Sequence, residues 1–522
     1  MQFTSFSFLL FGAILLGMYY LVPRKWQWCL LLIGSYLFYA FAGVEYLAFI
    51  LFTTVSTYVC TILMGRGLAK RDAYLAAHKE ELSREEKKAF KARAKKRNRV
   101  WMVVCLVANF AILAVFKACL IEPFRGLAQG SSFSFLALGL PLGISFYMFQ
   151  SMGYVIDVQR EKVTVEKNPF KLALFVSFFP QLVQGPISKY NDLAPQLCVP
   201  HKWDGKQVSY GLQRVLWGFF KKVVVADRIA VAIGALKGEP YTGVAFLVLT
   251  IFYAIQIYGD FTGGIDITIG LAQAMGIQLT ENFKRPFFSK NIAEYWRRWH
   301  ISLGEWMKDY IFFPISVSEP MRKLSKSARK RSPNFGKRLP VYIASVATWF
   351  CTGIWHGLSA NFILWGMLNC LVIVISEELQ PLYDRFHNRF GWKDKALYGG
   401  FEILRMFMLM NLIRACDLFP DVSVYFARIG SLFTTFNFHI LWDGTLMNIG
   451  LTGLDYGIIF GGVLIWFLVS LYQEERGPVR EALGRGNAAV RYAVIIALLV
   501  SVLLMGSYGI GYDSGNFIYN QF

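Results

Sequence analysis

The sequence has little charge and few histidines. Of its 522 residues, 17% are charged and 55% are hydrophobic, and the mean hydropathy is +0.41, whereas soluble domains are about 25% charged. This composition excludes an ordinary soluble domain and indicates a membrane protein. Because there are only six histidines, each can be weighed as a candidate for acid–base chemistry.

Motifs of several enzyme classes are absent. The sequence contains no G-x-S-x-G elbow, no phosphate-binding P-loop and no H-E-x-x-H zinc motif. Its eight cysteines include no C-x-x-C pair, and the C-x-x-H spacing from Cys198 to His201 has no second ligand pair nearby. We therefore expect no metal site, no bound cofactor and no disulfide framework.

The net charge of +20 is concentrated in two segments. Residues 65–99 contain 13 Lys or Arg against five acids, and residues 320–339 contain eight Lys or Arg and no acid. Such clusters are typical of the cytoplasmic loops of polytopic proteins. We therefore predict two basic cytoplasmic loops and no nucleic-acid partner, with contact to anionic lipid headgroups as a secondary hypothesis.

Apolar runs of membrane-spanning length recur along the whole chain. They predict an all-α polytopic membrane protein of roughly ten or more transmembrane helices, in a single domain from residue 1 to 522. The runs are 6–21, 28–42, 46–64, 100–120, 133–156, 244–277, 341–355, 362–376, 403–413, 456–472 and 492–506. The first run has no basic residues before it and no small-residue cleavage site after it, so we expect a retained first span with an outward N-terminus.

Three further segments do not read as simple spans. Residues 170–182 are short and lead into Pro180, Gly185 and Pro186, which is typical of a re-entrant or broken segment. Residues 208–233 mix apolar and charged side chains, and residues 291–313 are strongly amphipathic. We expect these two to be amphipathic or partly immersed helices.

His356 is the strongest catalytic candidate. It is the one acidic or basic side chain between Arg338 and Glu377. A helix of about 17 residues from Leu339 would place it about 25 Å into a hydrocarbon core about 30 Å thick. An ionisable side chain at that depth is costly without a partner or cavity. A neutral imidazole there is suited to act as a base, and the alternative is a histidine that packs two helices.

His300 lies in the stretch EYWRRWHISLGEWMKDY. Tryptophans at three- and four-residue spacing predict one helical stripe across it. Arg297 and Arg298 are available to solvent, to headgroups or to an anionic acyl donor. From the residues alone, an interfacial helix is favoured over a catalytic role for His300.

Two acids, Asp260 and Asp266, lie in the glycine-rich apolar run IYGDFTGGIDITIG. The G-x-x-x-G spacing from Gly259 to Gly263 predicts close helix packing. The carboxylates either pair with an intramembrane base such as Lys117 or Arg414 or line a hydrated passage.

The segments ENFKRPFFSKNIAEYWRRWHISLGEWMKDYIFFP and GIWHG…NFILWG resemble the membrane-bound O-acyltransferase family, in particular its bacterial branch. The resemblance implies a ring of helices around a central funnel. It also implies that His356 is the catalytic histidine, that His300 is a second histidine beside the reaction chamber, and that Trp355 and Asn361 line the chamber. Arg297, Arg298 and Asp260 become candidates for binding substrate or donor.

The activity that the resemblance implies is O-acyl transfer in a bacterial cytoplasmic membrane. We expect an acyl group, most simply acetyl from cytosolic acetyl-CoA, to pass across the bilayer to an extracytoplasmic SGNH-type partner that O-acetylates a peptidoglycan- or alginate-like polysaccharide. One alternative is D-alanyl transfer to teichoic acid. Another, from a different class, is a proton-coupled transporter or flippase that uses Asp260, Asp266 and His356.

The C-terminal segment 511–522 ends in F-x-Y-x-x-F, formed by Phe517, Tyr519 and Phe522. It is similar to a motif of the bacterial branch that holds the acyl group on its tyrosine. We expect this tail on the outer face, where His356 would activate the phenol of Tyr519, since a phenol of pKa about 10 needs a base. The alternative is an aromatic interfacial anchor.

Overall fold

The computed structural model describes residues 2–122, 124–129, 139–238, 241–392 and 395–508. Every regular element in these ranges is helical, which confirms the all-α class. The chain forms two compact units. The single membrane domain that we expect from residue 1 to 522 stays a prediction.

The first unit comprises Phe6–Val208 together with Leu271–Thr280. Its helices are α1 (Phe6–Leu21), α2 (Gln27–Ala40), α3 (Leu47–Ala77), α4 (Arg84–Ala118), α5 (Phe124–Gln129), α6 (Ile144–Gln159), α7 (Pro169–Ser177), α8 (Phe179–Leu182) and α9 (Tyr190–Cys198).

The basic segment 65–99 is mostly helical rather than irregular. Helix α3 continues to Ala77, and α4 begins at Arg84 after a cap. The Ser83 side chain accepts a hydrogen bond from the Glu86 amide, and the Glu86 carboxylate accepts one from the Ser83 amide. This capping box stabilises a helix start in a stretch too charged to be held by apolar packing.

The predicted break near residue 178 is present. Asn168 caps α7 by accepting hydrogen bonds from two following amides, and α7 ends at Ser177, one residue before α8 begins. Phe178 and Phe179 at the junction are fully buried. The irregular backbone is therefore enclosed by protein, as a break at membrane depth requires.

The second unit comprises Gln2–Ser5, Ser209–Gly270 and the described residues from Glu281 onward. The helices that follow α9 along the chain are α10 (Gly205–Phe219), α11 (Asp227–Leu236), α12 (Val244–Ala274), α13 (Ile292–Arg298), α14 (Ile301–Met307), α15 (Phe313–Ser316), α16 (Glu319–Arg329), α17 (Pro333–His356), α18 (Ala360–Glu378), α19 (Gln380–Phe390), α20 (Ala396–Arg414), α21 (Val422–Thr434), α22 (Gly453–Arg476), α23 (Val479–Arg485) and α24 (Ala488–Met505). Wider π-helical turns span Phe220–Ala226 and Lys308–Phe312.

Helix α12 is the central helix of the second unit. Of its most apolar stretch, 72% is buried. A Cβ atom added at Gly263 would lie 2.9 Å from the carbonyl oxygen of Gly218, and one added at Gly259 would lie 3.0 Å from the Cβ of Ala226. The G-x-x-x-G pair therefore brings the backbones of α10 and the π-helical turn against α12, as its spacing predicts.

Seven helices in the described part of the chain are long and apolar enough to cross a membrane. They are Val44–Ala77, Arg84–Ala118, Val244–Ala274, Ala360–Glu378, Ala396–Leu418, Gly453–Arg476 and Ala488–Met505. The polytopic class is thereby confirmed, whereas the count of roughly ten stays a prediction. Helix α24 differs from α12, since only 6% of its most apolar stretch is buried.

Candidate active site

His356 is the last residue of α17. The next residue, Gly357, adopts an extended conformation and donates its amide to the Gly353 carbonyl, which ends the helix. A Cβ added at Gly353 would lie 2.7 Å from the Phe362 carbonyl oxygen, and one added at Gly366 would lie 2.5 Å from the Trp349 carbonyl oxygen. The two glycines therefore let α17 and α18 approach closely and set His356 against α18.

The imidazole of His356 lies among aromatic rings. Its centroid is 4.9 Å from the Trp355 ring, 4.8 Å from the Trp365 ring and 6.4 Å from the Phe362 ring. Trp365 is buried, and its indole Nε1 has no hydrogen-bond partner within the described residues. A buried N–H of this kind costs about 1–3 kcal/mol when it has no acceptor, so this indole is available to donate to a bound group.

His300 interrupts the predicted amphipathic helix. The segment 291–313 is not one continuous helix: α13 ends at Arg298 and α14 starts at Ile301, with His300 in the left-handed region at φ 50° and ψ 48°. This conformation costs about 1–2 kcal/mol for a residue other than glycine. The predicted stripe of tryptophans is correspondingly broken, and the imidazole is 3% exposed.

Asn282 lies beside the His300 ring. The Asn282 Oδ1 atom accepts hydrogen bonds from the amide and hydroxyl of Ser302, at 3.0 and 2.9 Å. This assigns the amide nitrogen to the other side, where Nδ2 lies 3.5 Å from Nδ1 of His300. At 3.5 Å this contact is at the upper limit for a hydrogen bond, and it places the Asn282 amide beside the ring.

The electrostatic surroundings of His300 favour the neutral ring. Burial and the positive charge of Arg414 lower the pKa of His300 to about 3. Arg414 is itself held in place, because it donates to the Tyr295 hydroxyl at 2.6 Å and stacks on the Trp299 ring at 3.9 Å. His300 is therefore neutral at physiological pH.

Trp355 connects the two histidines. Its ring centroid is 5.7 Å from the His300 ring and 4.9 Å from the His356 ring. The structure thus brings together three residues that the sequence singles out. His300 lies at the break between α13 and α14, and Trp355 and His356 lie more than 50 positions later, at the end of α17. This aromatic cluster, formed by His300, Trp355, His356 and Trp365, is the candidate active site.

Asn361 supports the start of α18. Its side chain donates to the Cys416 carbonyl at 3.2 Å and its Oδ1 accepts from the Ser359 hydroxyl at 2.6 Å. These bonds join α18 to the turn Ala415–Leu418 after α20. A role in lining the reaction chamber stays a prediction.

The two arginines before His300 have different surroundings. Arg298 bonds to Glu294 and Glu474, each at 2.7 Å, whereas Arg297 is exposed. Asn291 caps α13 by accepting from the Glu294 amide, as its sequence predicts. Arg297 therefore remains a candidate for donor binding, while Arg298 already has two carboxylate partners.

The two acids on α12 pair with buried bases, as one of the two expectations had it, but Lys117 and Arg414, given as example partners, are wrong. Asp260 pairs with Lys222 rather than with Lys117 or Arg414, and Asp266 pairs with Arg214 at 2.8 Å and Lys221 at 2.7 Å. Lys222 also bonds to Asp227 at 2.6 Å. The π-helical turn sets these partners, because it directs consecutive lysines at two different carboxylates of α12. The substrate-binding role of Asp260 stays a prediction.

Sequence reasoning missed Asn282 and Trp365, and it gave Arg414 only as a partner for an acid. An arginine directly after the apolar run 403–413, at the end of α20, was a usable signal, since charges within membrane segments mark functional sites. Asn282 and Trp365 carried no such signal, because amides and tryptophans are common near membrane interfaces.

The tail motif Phe517, Tyr519 and Phe522 lies outside the described residues, but the chain leading to it is anchored. Arg228 donates to the Met505 carbonyl at 2.7 Å, and the Ser507 amide donates to the Val223 carbonyl at 2.8 Å. Val223 belongs to the π-helical turn. We call residues 505–507, held by these two bonds, the tail root.

Comparison with known proteins places this site in a family. The model of the MBOAT, membrane-bound O-acyltransferase, family matches residues 159–418, a range that holds both histidines. A probable alginate O-acetylase, AlgI, of Pseudomonas putida is 33% identical over 389 residues, which cover 73% of this chain and 71% of that protein. The chain therefore belongs to the membrane-bound O-acyltransferase family, and the expectation of an acyltransferase is confirmed at the level of the family.

Two further relatives are named for other acceptors, peptidoglycan and teichoic acid. A peptidoglycan O-acetyltransferase of Helicobacter pylori is 27% identical over 457 residues, covering 78% of each chain. A teichoic acid D-alanyltransferase of Bacillus subtilis is 26% identical over 258 residues, covering 48% of this chain and 61% of that protein. The aligned regions cover 66–71% of the lengths of the alginate O-acetylase relatives.

Proposed function

We propose that this protein transfers an acetyl group from a cytosolic thioester, acetyl-CoA, to the phenol of Tyr519, from which an extracytoplasmic SGNH-type partner O-acetylates a peptidoglycan- or alginate-like polysaccharide. The observation that carries the proposal is the contact of Trp355 with both His300 and His356. The relatives support the acyl group, because those named for acetyl transfer align with 72–78% of this chain and the D-alanyltransferases align with 45–48%.

His356 is the general base of the proposed reaction. It takes the proton of the Tyr519 hydroxyl, and the phenol oxygen attacks the thioester carbonyl carbon. The carbon–sulfur bond then breaks, and the leaving thiolate takes the proton from the imidazolium. The products are an acetyl ester on Tyr519 and free CoA, with no net change in protons.

Trp365 is the proposed donor to the developing oxyanion. Its buried indole N–H lies beside the base and has no acceptor within the described residues. A donor already placed where negative charge develops stabilises the tetrahedral intermediate without reorganisation. The neutral His300 packs against Trp355, and Trp355 in turn packs against the His356 ring. His300 therefore helps to position His356 through Trp355.

The tail root sets the reach of Tyr519. Twelve residues lead from Ser507 to Tyr519, and an extended chain of that length spans at most about 40 Å. Within that radius, the proposal has the phenol alternate between the aromatic cluster and a partner on the outer face of a bacterial cytoplasmic membrane.

The test is mass spectrometry of the C-terminal peptide after the purified full-length protein has been incubated with acetyl-CoA. The wild type gains one acetyl group on Tyr519, whereas His356→Ala and Tyr519→Phe gain none. His439→Ala is the matched control, because His439 is a largely exposed histidine outside the aromatic cluster. Acetylation of Tyr519 in the His356 variant at the wild-type rate would overturn the proposal.

D-alanyl transfer is the second candidate, and it is favoured by the match to the teichoic acid enzyme. The same peptide assay separates the two, with a D-alanyl carrier protein in place of acetyl-CoA. A transporter has less support, because Asp260 and Asp266 are both neutralised by buried cations.

A further inference from the structure

A cavity of about 730 Å³ lies within the second unit, apart from the aromatic cluster. Its wall is formed by α10 and the π-helical turn, by α12, by the segment 281–285 and by α22 to α24. None of His300, Trp355, His356 and Trp365 lines it. The cavity is therefore a second candidate site, distinct from the proposed chemistry.

The apolar part of the cavity wall comes from α10, the π-helical turn and the membrane-capable helices α12, α22 and α24. Trp217 and Phe220 stack with ring centroids 5.2 Å apart, and Trp466 of α22 faces the same space. Val494 and Leu498 line it from α24. Only 6% of the most apolar stretch of this helix is buried by protein. Acyl chains of a lipid fill such a space between helices at no polar cost.

The charged part of the wall carries an excess of cations. Five basic side chains line the cavity against two carboxylates, Asp266 and Glu281. Arg214 bonds to both carboxylates, at 2.8 and 2.5 Å. Burial, and after it the nearby Arg214, lower the pKa of Arg480, so an anion beside Arg480 would stabilise its charged form.

Three of the five cations, Lys284, Arg285 and Arg480, follow the ends of α12 and α22, and Arg285 is paired with Glu474 at 2.6 Å. Lys284 is an exposed side chain ten residues after α12 ends, and Arg480 lies on α23, just after α22 ends. Trp466, Val494 and Leu498 lie inside the spans α22 and α24, and Trp217 lies on α10 beside them. A ligand with an anionic end and a long apolar end matches this arrangement, with its anion at the level of lipid headgroups.

We propose that the cavity binds one anionic phospholipid, whose phosphate lies at Lys284 and Arg480 and whose acyl chain lies between α22 and α24 against Trp217 and Trp466. The bound lipid also supports the aromatic cluster. Tyr258 and Phe283 line the cavity, and the Phe283 ring is 4.9 Å from the Trp299 ring and 6.1 Å from the His300 ring. An occupied cavity therefore holds Phe283 against His300.

The test is native mass spectrometry of the purified full-length protein, delipidated in detergent and titrated with phosphatidylglycerol. The wild type binds one molecule, and Arg480→Gln weakens binding about tenfold, as loss of a charge-assisted hydrogen bond does. Ala497→Trp fills the cavity from α24 and abolishes binding. The matched controls Arg485→Gln and Ala493→Trp, on the same two helices but outside the cavity wall, bind as the wild type does.

Three outcomes would overturn the proposal. Equal binding by Ala497→Trp and the wild type would place the lipid elsewhere. If phosphatidylcholine binds as tightly as phosphatidylglycerol, Lys284 and Arg480 do not select an anionic lipid. Displacement of phosphatidylglycerol by acetyl-CoA would make the cavity part of the donor site instead.

Discussion

The bond between Ser507 and the π-helical turn allows a sharp test of how the tail is held. Ser507→Pro removes the amide that donates to the Val223 carbonyl and leaves the rest of the chain unchanged. Gly506, at φ −67° and ψ 145°, already has the extended conformation that a following proline requires. The substitution therefore acts on one hydrogen bond.

The expected cost follows from burial. Ser507 is 1% exposed, so the Val223 carbonyl would lose a partner away from water, at about 1–3 kcal/mol. If the tail root alternates between bound and released states, that cost lowers the ratio of bound to released states about 5- to 150-fold. The initial rate of Tyr519 acetylation should fall by a factor in the same range.

The assay is the peptide mass spectrometry described above, read as a time course. Ser507→Ala is the matched control, because it keeps the amide and removes a hydroxyl that has no hydrogen-bond partner within the described residues; it should acetylate as the wild type does. A proline variant with an unchanged initial rate would refute the anchoring role of this bond, while the His356 test would stand.

Three further predictions concern the interior. Trp365→Phe should lower kcat for acetyl transfer about 100-fold with little change in KM for acetyl-CoA, since it removes only the proposed oxyanion donor; an unchanged kcat would exclude that role. Lys222→Met should reduce the free energy of unfolding by about 3–5 kcal/mol, because Asp260 and Asp227 both lose their buried partner; thermal unfolding followed by fluorescence measures this. Gly366→Val should abolish activity, because its Cβ would lie 2.5 Å from the Trp349 carbonyl oxygen, whereas Gly461→Val, with no atom within 4 Å, should leave activity intact.

Much of the helical framework could be predicted because its signals are local. The start of α13 follows from Asn291 and Glu294, three residues apart, and the break before α8 follows from Pro180. The close packing of α12 follows from the spacing of Gly259 and Gly263. Each of these features depends on a few residues close together in the chain, so each can be predicted from a single sequence.

The features that could not be predicted depend on distant contacts. The tryptophan spacing around His300 fits a continuous helix, and the break exists because Asn282 bonds to the backbone of Ile301 and Ser302 across the turn. The pairing of Lys222 with Asp260 likewise depends on the width of the π-helical turn. Both outcomes are set by tertiary packing, which overrides local periodicity.

The tail root also has a mechanical consequence. Helix α24 is scarcely buried along its most apolar stretch, yet its C-terminal end is fixed by Arg228 at Met505 and by Val223 at Ser507. The two bonds therefore fix the last turn of α24 to the π-helical turn and α11, so the position of this end depends on hydrogen bonds of its backbone more than on buried side chains. A shift of the π-helical turn would be transmitted directly to the residue from which the tail continues.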